Sequence, residues 1–264
     1  MFGKGLRAVS FVSLILTAVQ FNAVPANDAR LADAVMKRDQ AAIRALLRDK
    51  IDVNGTQADG MTALHWAVRE DNLETARLLI RAGARVSIAT RYGVTPIYLA
   101  CANGSESMID LLLRAGADPN ATNPGGETAL MTAARTGRIA AVKLLLDRGA
   151  VVDAKEKVRG QTALMWAVTE NHVDVAWLLL RSGANVNAQT DVNIPEGMET
   201  SIARPDGTRS MSANIGAAGP GVYRARAIPT PSGGMTPLLF AAREGHMEMA
   251  RLLLGASANL NLSS

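Results

Sequence analysis

Cysteine is nearly absent from this sequence of 264 residues, in which Cys101 is the only one. An intramolecular disulfide is therefore impossible, and so is a metal centre built on several cysteines. Cys101 falls on the apolar side of a predicted helix, where free cysteine packs as a small hydrophobic side chain. We expect a buried structural thiol.

The chain also has few aromatic residues and a small net charge. Phe, Trp and Tyr make up 4% of the chain, while alanine and leucine abound, which suits stacked small helices better than a β-sandwich or an α/β enzyme. The formal charge is +4, and Lys4 and Arg7 lie in a segment that we expect to be removed, which leaves about +2. This charge is too small to favour nucleic acid as a partner.

Motifs for catalysis and for cofactor binding are missing as well. There is no G-x-S-x-G, and the acidic residues are scattered singly rather than paired for acid–base work. The three histidines, His65, His172 and His246, have no cluster with metal-ligand spacing around them. The glycine-rich stretch 216–221 lacks the Lys-Ser/Thr of a phosphate loop. We therefore predict a protein that is not an enzyme, with no catalytic residues, no cofactor and no metal.

What the sequence does contain is one unit repeated at a nearly fixed interval. Each unit opens with a glycine and a variant of one hexapeptide: TALHWA, TPIYLA, TALMTA, TALMWA or TPLLFA. A leucine-rich triplet follows and, in all but the last unit, a second glycine 23 residues after the first. The leading glycines are separated by 33, 33, 34 and 74 residues and are Gly60, Gly93, Gly126, Gly160 and Gly234.

The unit at 160–187 predicts two short helices joined by a tight turn. Thr162 is an N-cap residue, and the apolar residues after it recur at helical spacing. Asn171 tolerates the left-handed conformation that ends a first helix, and Gly183 stops the second. The same turn position in other units holds Asp71, Gly104, Gly137 and Gly245. Two helices this short bury little surface, so each unit needs neighbours.

This period and this order of motifs resemble the ankyrin repeat. The resemblance covers nearly everything after residue 27. It implies an all-α ankyrin-repeat solenoid of about six helix-turn-helix repeats, with one long finger-loop insertion. It also implies that His65 bonds locally at the start of its helix, and that the protein is a binding scaffold.

Residues 1–26 are typical of an export signal peptide. Lys4 and Arg7 precede an apolar core of about 12 residues, shorter than the ~20 that a spanning helix needs. Small residues at 24–26 offer a cleavage site. The predicted location is therefore outside the cytoplasm, periplasmic or secreted. The alternative is a membrane anchor formed by an uncleaved N-terminal segment.

The rest of the chain divides at the repeats. We predict an N-terminal capping repeat at 27–59, four repeats at 60–191, a Pro/Gly-rich loop insertion at 192–233 and a last repeat at 234–264. The insertion has no apolar periodicity, and we expect a loop that folds over the concave face or onto a partner. No polar closing helix follows the last leucine triplet, which indicates either part of a longer array or an end that a partner covers.

In the ankyrin family, partners usually dock on the finger tips and on the exposed side of the first helices. The resemblance implies a partner-binding surface made of the equivalent positions here: Asp59, Met61, Arg69, Glu70, Arg91, Tyr92, Val94, Asn103, Glu127, Arg135, Thr136, Arg159, Gln161, Thr169, Glu170, Met235, Arg243 and Glu244. Arg and Tyr beside carboxylates are typical of a protein-binding face.

We therefore expect a non-catalytic, exported scaffold for protein–protein interaction. Its partner is a protein, with no nucleic acid, and no membrane after signal cleavage. The alternative is a repeat domain or regulatory subunit of a longer exported protein whose activity lies outside this chain.

Overall fold

The computed structural model of the protein describes residues 28–192 and 233–262, and this part of the chain folds into twelve α-helices. The predicted signal peptide and the interior of the predicted insertion lie outside the described residues. In chain order the helices are α1 (Arg30–Met36), α2 (Gln40–Arg48), α3 (Ala63–Arg69), α4 (Leu73–Arg81), α5 (Pro96–Asn103), α6 (Glu106–Arg114), α7 (Ala129–Arg135), α8 (Ile139–Asp147), α9 (Ala163–Thr169), α10 (Val173–Arg181), α11 (Pro237–Glu244) and α12 (Met247–Gly255).

Consecutive helices pack in pairs, and the pairs stack. The first helices of the pairs contact one another in the order α1, α3, α5, α7, α9 and α11, and the second helices form a parallel row from α4 to α12. Between 28 and 192 and between 233 and 262, extended pairing is limited to two isolated bridges, Thr56 with Thr62 and Thr122 with Thr128. The predicted all-α solenoid of helix-turn-helix repeats is confirmed.

The helix ends follow the local chemistry of the repeated unit. Thr62, Thr128, Thr162 and Thr236 each accept a hydrogen bond from the third backbone N–H of their helix, at 3.3–3.4 Å. Thr95 has the same extended backbone but makes no such bond. The predicted left-handed turn residues all have positive φ, and they are Asp71, Gly104, Gly137, Asn171 and Gly245.

The leucine triplets supply the core, but mainly through their middle member. Leu79, Leu112, Leu145, Leu179 and Leu253 are all 0% exposed. The first member is less buried, as Leu78 at 37% exposure shows. In the first pair the equivalent Leu46 is only partly buried, since among the described residues this pair has a neighbouring pair on one side only. Burying one leucine stabilises the fold by roughly 2 kcal/mol, so this row holds adjacent repeats together.

Side chains also bond across to the preceding repeat. Nε2 of His172 lies 3.0 Å from the carbonyl oxygen of Arg135, and Nδ1 of His246 lies 3.0 Å from that of Val168. Asn103 donates from its amide to the carbonyl of Val68 at 3.0 Å. These bonds satisfy carbonyls at the end of a helix, which have no partner within the helix itself.

The finger that carries the insertion closes like the uninterrupted ones. Thr190 donates its N–H to the carbonyl of Met235 at 3.0 Å, as Thr90 does to Val94 at 2.9 Å. Gly233 has φ +127°, and a Cβ there would lie 2.1 Å from the carbonyl oxygen of Asp191. The two ends of the insertion therefore leave the repeat side by side.

Two further features bear on chemistry. Cys101 is buried, as predicted, and burial raises the pKa of its thiol to about 12. Among the described residues, no helix combines the length and apolar character needed to cross a membrane.

Candidate functional site

The fingers share one hydrogen-bonded base. In each, the N–H of a base residue donates to the carbonyl of the residue that follows the finger glycine, and these base residues are Gln57, Thr90, Asn123, Glu156 and Thr190. In the last four, the side-chain oxygen of the base residue also accepts the returning backbone N–H, at 2.9–3.2 Å. The fingers are thus fixed at their bases by short-range polar contacts.

In the first finger the side chain of the base residue, Gln57, does not accept the returning backbone N–H. The N–H of Met61 bonds to the carboxylate of Asp59 at 2.9 Å rather than to the base residue. Gln57 therefore points elsewhere: its Oε1 accepts from Trp66 Nε1 at 2.7 Å, and its Nε2 donates to Asp33 at 2.6 Å. The indole of Trp66 is fully satisfied within the protein.

Arginines stack on aromatic rings along the first helices. The guanidinium carbon of Arg69 lies 5.0 Å from the ring centre of Trp66, and that of Arg243 lies 4.9 Å from the ring centre of Phe240. Arg135 crosses to the next repeat and lies 5.3 Å from the ring centre of Trp166. Each contact contributes about 0.5–1 kcal/mol at an exposed site. The edge of the Arg243 guanidinium also bonds to Glu244, whereas Arg69 and Arg135 have no carboxylate within 4.0 Å among the described residues.

The surface made of the finger tips and the outer side of the first helices, here called the finger face, contains two clefts. The first has a volume of about 340 Å³ and lies between the fingers that begin at Asp59 and Thr90, against α3 and α5. Tyr92, 76% exposed, stands at its edge. The second cleft, of about 440 Å³, lies beside the finger of the insertion and is lined by Trp166, Phe240 and Arg243 among others.

Most of the predicted partner-binding residues have accessible surface on the finger face. The exposed ones are Asp59, Arg69, Glu70, Arg91, Tyr92, Asn103, Arg159, Glu170, Arg243 and Glu244. Partly buried are Val94, Glu127, Arg135, Thr136, Thr169 and Met235. Their role in binding stays a prediction.

Met61 and Gln161, also predicted for that surface, contribute little accessible area to it. Their exposed fractions are 8% and 6%. Each follows its finger glycine directly and bonds back to the finger base, as Gln161 does to Glu156 at 3.1 Å. Because the backbone there turns under the finger, the side chain forms the floor of a cleft instead of a contact surface.

Several other predicted residues are already engaged within the protein. The amide of Asn103 holds the preceding repeat, as described above. The hydroxyls of Thr136 and Thr169 donate to carbonyls of their own helices, each at 2.9 Å, and Glu70 pairs with Arg38. These side chains position the face, and fewer free polar groups remain than the sequence suggests.

Two residues of the face were missed by sequence reasoning. Leu99 lines the first cleft and Val158, 77% exposed, lines the second. For Val158, the only indication in the sequence was that its finger is one residue longer than the others, as the 34-residue step from Gly126 to Gly160 shows. The longer finger has an apolar side chain at its tip. Nothing in the sequence indicated that Leu99 lies on this face, since an apolar residue in a helix is normally predicted to be in the core.

The groups that could support chemistry serve structure instead. Nδ1 of His65 accepts the N–H of Thr62 at 3.2 Å and Nε2 lies 3.1 Å from the carbonyl of Val94. Because a carbonyl only accepts, the imidazole is neutral with its hydrogen on Nε2. The local bond predicted for His65 is confirmed. Between 28 and 192 and between 233 and 262, no cluster of three His, Cys, Asp or Glu side chains could hold a metal ion.

Comparison with known families gives two matches. The family pattern described as ankyrin repeats (3 copies) matches residues 31–123 and 97–190. The pattern of a single ankyrin repeat matches residues 233–264. A search of curated proteins returned no match.

Proposed function

Because the chain belongs to the ankyrin-repeat family, we propose that it is a non-catalytic scaffold that binds a protein partner through its finger face. One observation carries the proposal: two clefts on this face combine apolar floors with arginine side chains at their rims. Buried apolar contacts ringed by polar groups are the usual anatomy of protein interfaces.

The chemistry of the rims favours a polypeptide over a small molecule. Tyr92 and Arg69 border the first cleft, and Arg159 and Arg243 border the second. Tyr and Arg are enriched among residues that dominate binding energy at interfaces. A chain lying along the finger face would reach both clefts, since each spans neighbouring repeats of one stack.

We also propose that the protein acts outside the cytoplasm. Support comes from the sequence of residues 1–26, with its basic start, short apolar core and small residues before Asn27. On this proposal the partner is an exported or envelope protein, and no membrane contact is needed once the signal is removed.

Site-specific photo-crosslinking tests the proposed function. A photoreactive amino acid at Tyr92 should crosslink a defined protein in cells of the source organism, and one at Arg77, exposed on α4, serves as the control. The proposal expects the same crosslinked protein from Tyr92 and from a second probe at Arg243, and not from Arg77. Equal crosslinking from Arg77, or none from either finger-face position, would refute it.

A paired variant links that crosslink to the face. Arg69→Ala with Tyr92→Ala should remove the protein captured by the probe at Arg243 while leaving the melting temperature nearly unchanged, since both side chains are exposed. Undiminished capture would show that the first cleft takes no part.

A further inference from the structure

Trp166, which lines the second cleft, carries a buried donor that lacks an acceptor. Of the buried side-chain nitrogen and oxygen atoms in the described part of the chain, only Nε1 of Trp166 has no hydrogen-bond partner. An unpaired buried N–H costs folding free energy, because it has given up water and gained nothing. At the equivalent position of an earlier repeat, Trp66 donates its indole N–H to Gln57, so the repeat fold does not by itself leave this indole N–H without a partner.

The missing acceptor has a local cause. The base residue of this finger is Glu156, in the place of Gln57, and its carboxylate turns into its own loop. It accepts three backbone N–H groups, from Val158 at 2.6 Å, Arg159 at 2.8 Å and Gln161 at 3.0 Å. These three bonds hold the carboxylate within its own finger, and it makes no hydrogen bond to Trp166.

The charge balance around the cleft is positive. Asp191, the one carboxylate among the residues that line it, is already paired with Lys155 at 3.4 Å, and Arg243 is paired with its chain neighbour Glu244 at 2.8 Å. Among the described residues, Arg159 and Arg135 have no carboxylate within 4.0 Å. Arg135 stacks on the ring of Trp166 itself. The unpaired guanidinium of Arg135 therefore lies against the ring that carries the unpaired N–H, and the unpaired guanidinium of Arg159 lines the same cleft.

The remaining walls are apolar. Phe240, 4% exposed, and Met235 line the same cleft, and Val158 stands at its mouth. A bare anion such as phosphate would leave this surface uncovered. An acidic side chain on a backbone with an apolar neighbour would fill both parts.

We propose that this cleft takes the carboxylate of a glutamate or aspartate side chain from the partner polypeptide. Trp166 donates its indole N–H to the carboxylate, Arg135 and Arg159 balance its charge, and an apolar neighbour of the acidic residue packs on Phe240 and Met235. Because Nε1 is buried, this bond requires the indole to turn toward the open space of the cleft. This inference deepens the proposed function and rests on it.

Indole resonances offer a direct test. The full chain, labelled with ¹⁵N, has three indole N–H signals, from Trp66, Trp166 and Trp177, which Trp→Phe variants assign. The probe is the capped peptide acetyl-Ala-Leu-Glu-Leu-Ala-amide, titrated to about 10 mM, a range that detects weak binding. We expect a saturable downfield shift of the Trp166 indole proton and little change at Trp66, whose acceptor is internal.

Two matched peptides and two matched variants define the outcome. Replacing the central Glu by Gln or Lys should weaken binding by about tenfold or more, the usual loss for a hydrogen bond to a charged group. Trp166→Phe, in which binding is followed by backbone amide shifts because its indole signal is lost, should weaken the binding of the Glu peptide similarly, whereas Trp66→Phe should not. Arg159→Gln, at an exposed site, should weaken it without lowering the melting temperature.

Three results would overturn the inference: no saturable shift at Trp166, equal shifts from the Gln or Lys peptide, or equal losses from Trp66→Phe and Trp166→Phe. If the peptide fails while Tyr92 still crosslinks a defined protein, the chemistry assigned to this cleft is wrong and the scaffold function stands. If crosslinking fails as well, the proposed function fails with it.

Discussion

Asn120 clamps the glycine stop of the next repeat. Its Nδ2 donates to the carbonyl of Gly149 at 3.0 Å, and its Oδ1 accepts the N–H of Val151 at 2.8 Å. Asn54 makes the same pair of bonds around Gly83 and Arg85, at 3.2 and 2.8 Å. One side-chain amide thus holds the end of a helix in the following repeat. The asparagine that recurs at this position, as Asn54 and Asn120, therefore links neighbouring repeats.

Removing this clamp should lower stability. Asn120→Ala loses two hydrogen bonds at a partly exposed site, and we expect the free energy of unfolding to fall by about 1–2 kcal/mol. Ser87→Ala, at the equivalent position of the preceding repeat, serves as control, since Ser87 makes no such bond among the described residues. Urea denaturation measures both, and equal losses in the two variants would contradict the clamp.

The leading glycine and the glycine stop of one repeat should tolerate alanine unequally. Gly116 has φ +90° with no atom within 4 Å of an added Cβ. Gly116→Ala therefore introduces backbone strain but no steric clash, and it should lower the free energy of unfolding by about 1 kcal/mol. Gly93 has φ +72°, and its Cβ would lie 2.1 Å from Cδ of Pro124, so Gly93→Ala should cost more.

Leu145→Ala provides the scale for those variants. Leu145 is 0% exposed, and its loss should cost roughly 2–5 kcal/mol. Denaturant midpoints rank the three variants. Negligible and equal losses would show that the repeat alignment does not describe the packing.

Acid should weaken the fold through His65. Burial lowers the pKa of its imidazole, with the nearby carbonyl of Val94 opposing the shift. The unfolded chain therefore takes up the proton first, near pH 6.5, so stability is complete above that pH and falls as pH drops toward the lowered folded value. His65→Asn should reduce the difference in unfolding free energy between pH 7.5 and 5.5.

Asn120→Ala provides the control for this pH effect, because it destabilises the protein without removing a titrating group. It should retain the full difference between the two pH values. If His65→Asn retains it too, the acid sensitivity arises elsewhere.

Replacing residues 192–232 by a short Gly-Ser linker should barely change the melting temperature. The bonds between Thr190 and Met235 lie below the replaced segment, and loop closure changes by only about 0.6 kcal/mol per doubling of length. Affinity for the partner should fall, since the finger of the insertion borders the second cleft. A large loss of stability would mean that this segment is not a loop, and unchanged affinity would leave it outside the binding role.

Export should leave a mature chain that begins near Asn27. The short apolar core followed by small residues is the basis for this expectation. Intact-mass spectrometry of protein recovered from outside the cytoplasm measures the N-terminus directly. Retention of Met1 would favour the membrane-anchored alternative.

The repeated architecture was predictable because it rests on local, recurring chemistry. Threonine caps, left-handed turn residues such as Asn171 and a buried leucine in each triplet depend on neighbours a few positions away or at one fixed period. Cys101 could likewise be assigned to the interior from its place in the period. Interactions of this kind can be predicted from the sequence, since each repeat contacts mainly its neighbours.

Only the tertiary structure decided which polar groups are free. Gln57 and Glu156 occupy the same position, yet one satisfies a tryptophan and the other its own loop. Met61 donates its N–H to Asp59, which leaves the amide of Gln57 available to Trp66, whereas three backbone N–H groups hold Glu156 in its own finger. A hydrogen bond depends on distances of a few tenths of an ångström among several competing donors, which periodicity does not specify. The sequence determined the stack of repeats; the folded geometry decided the unpaired indole of Trp166.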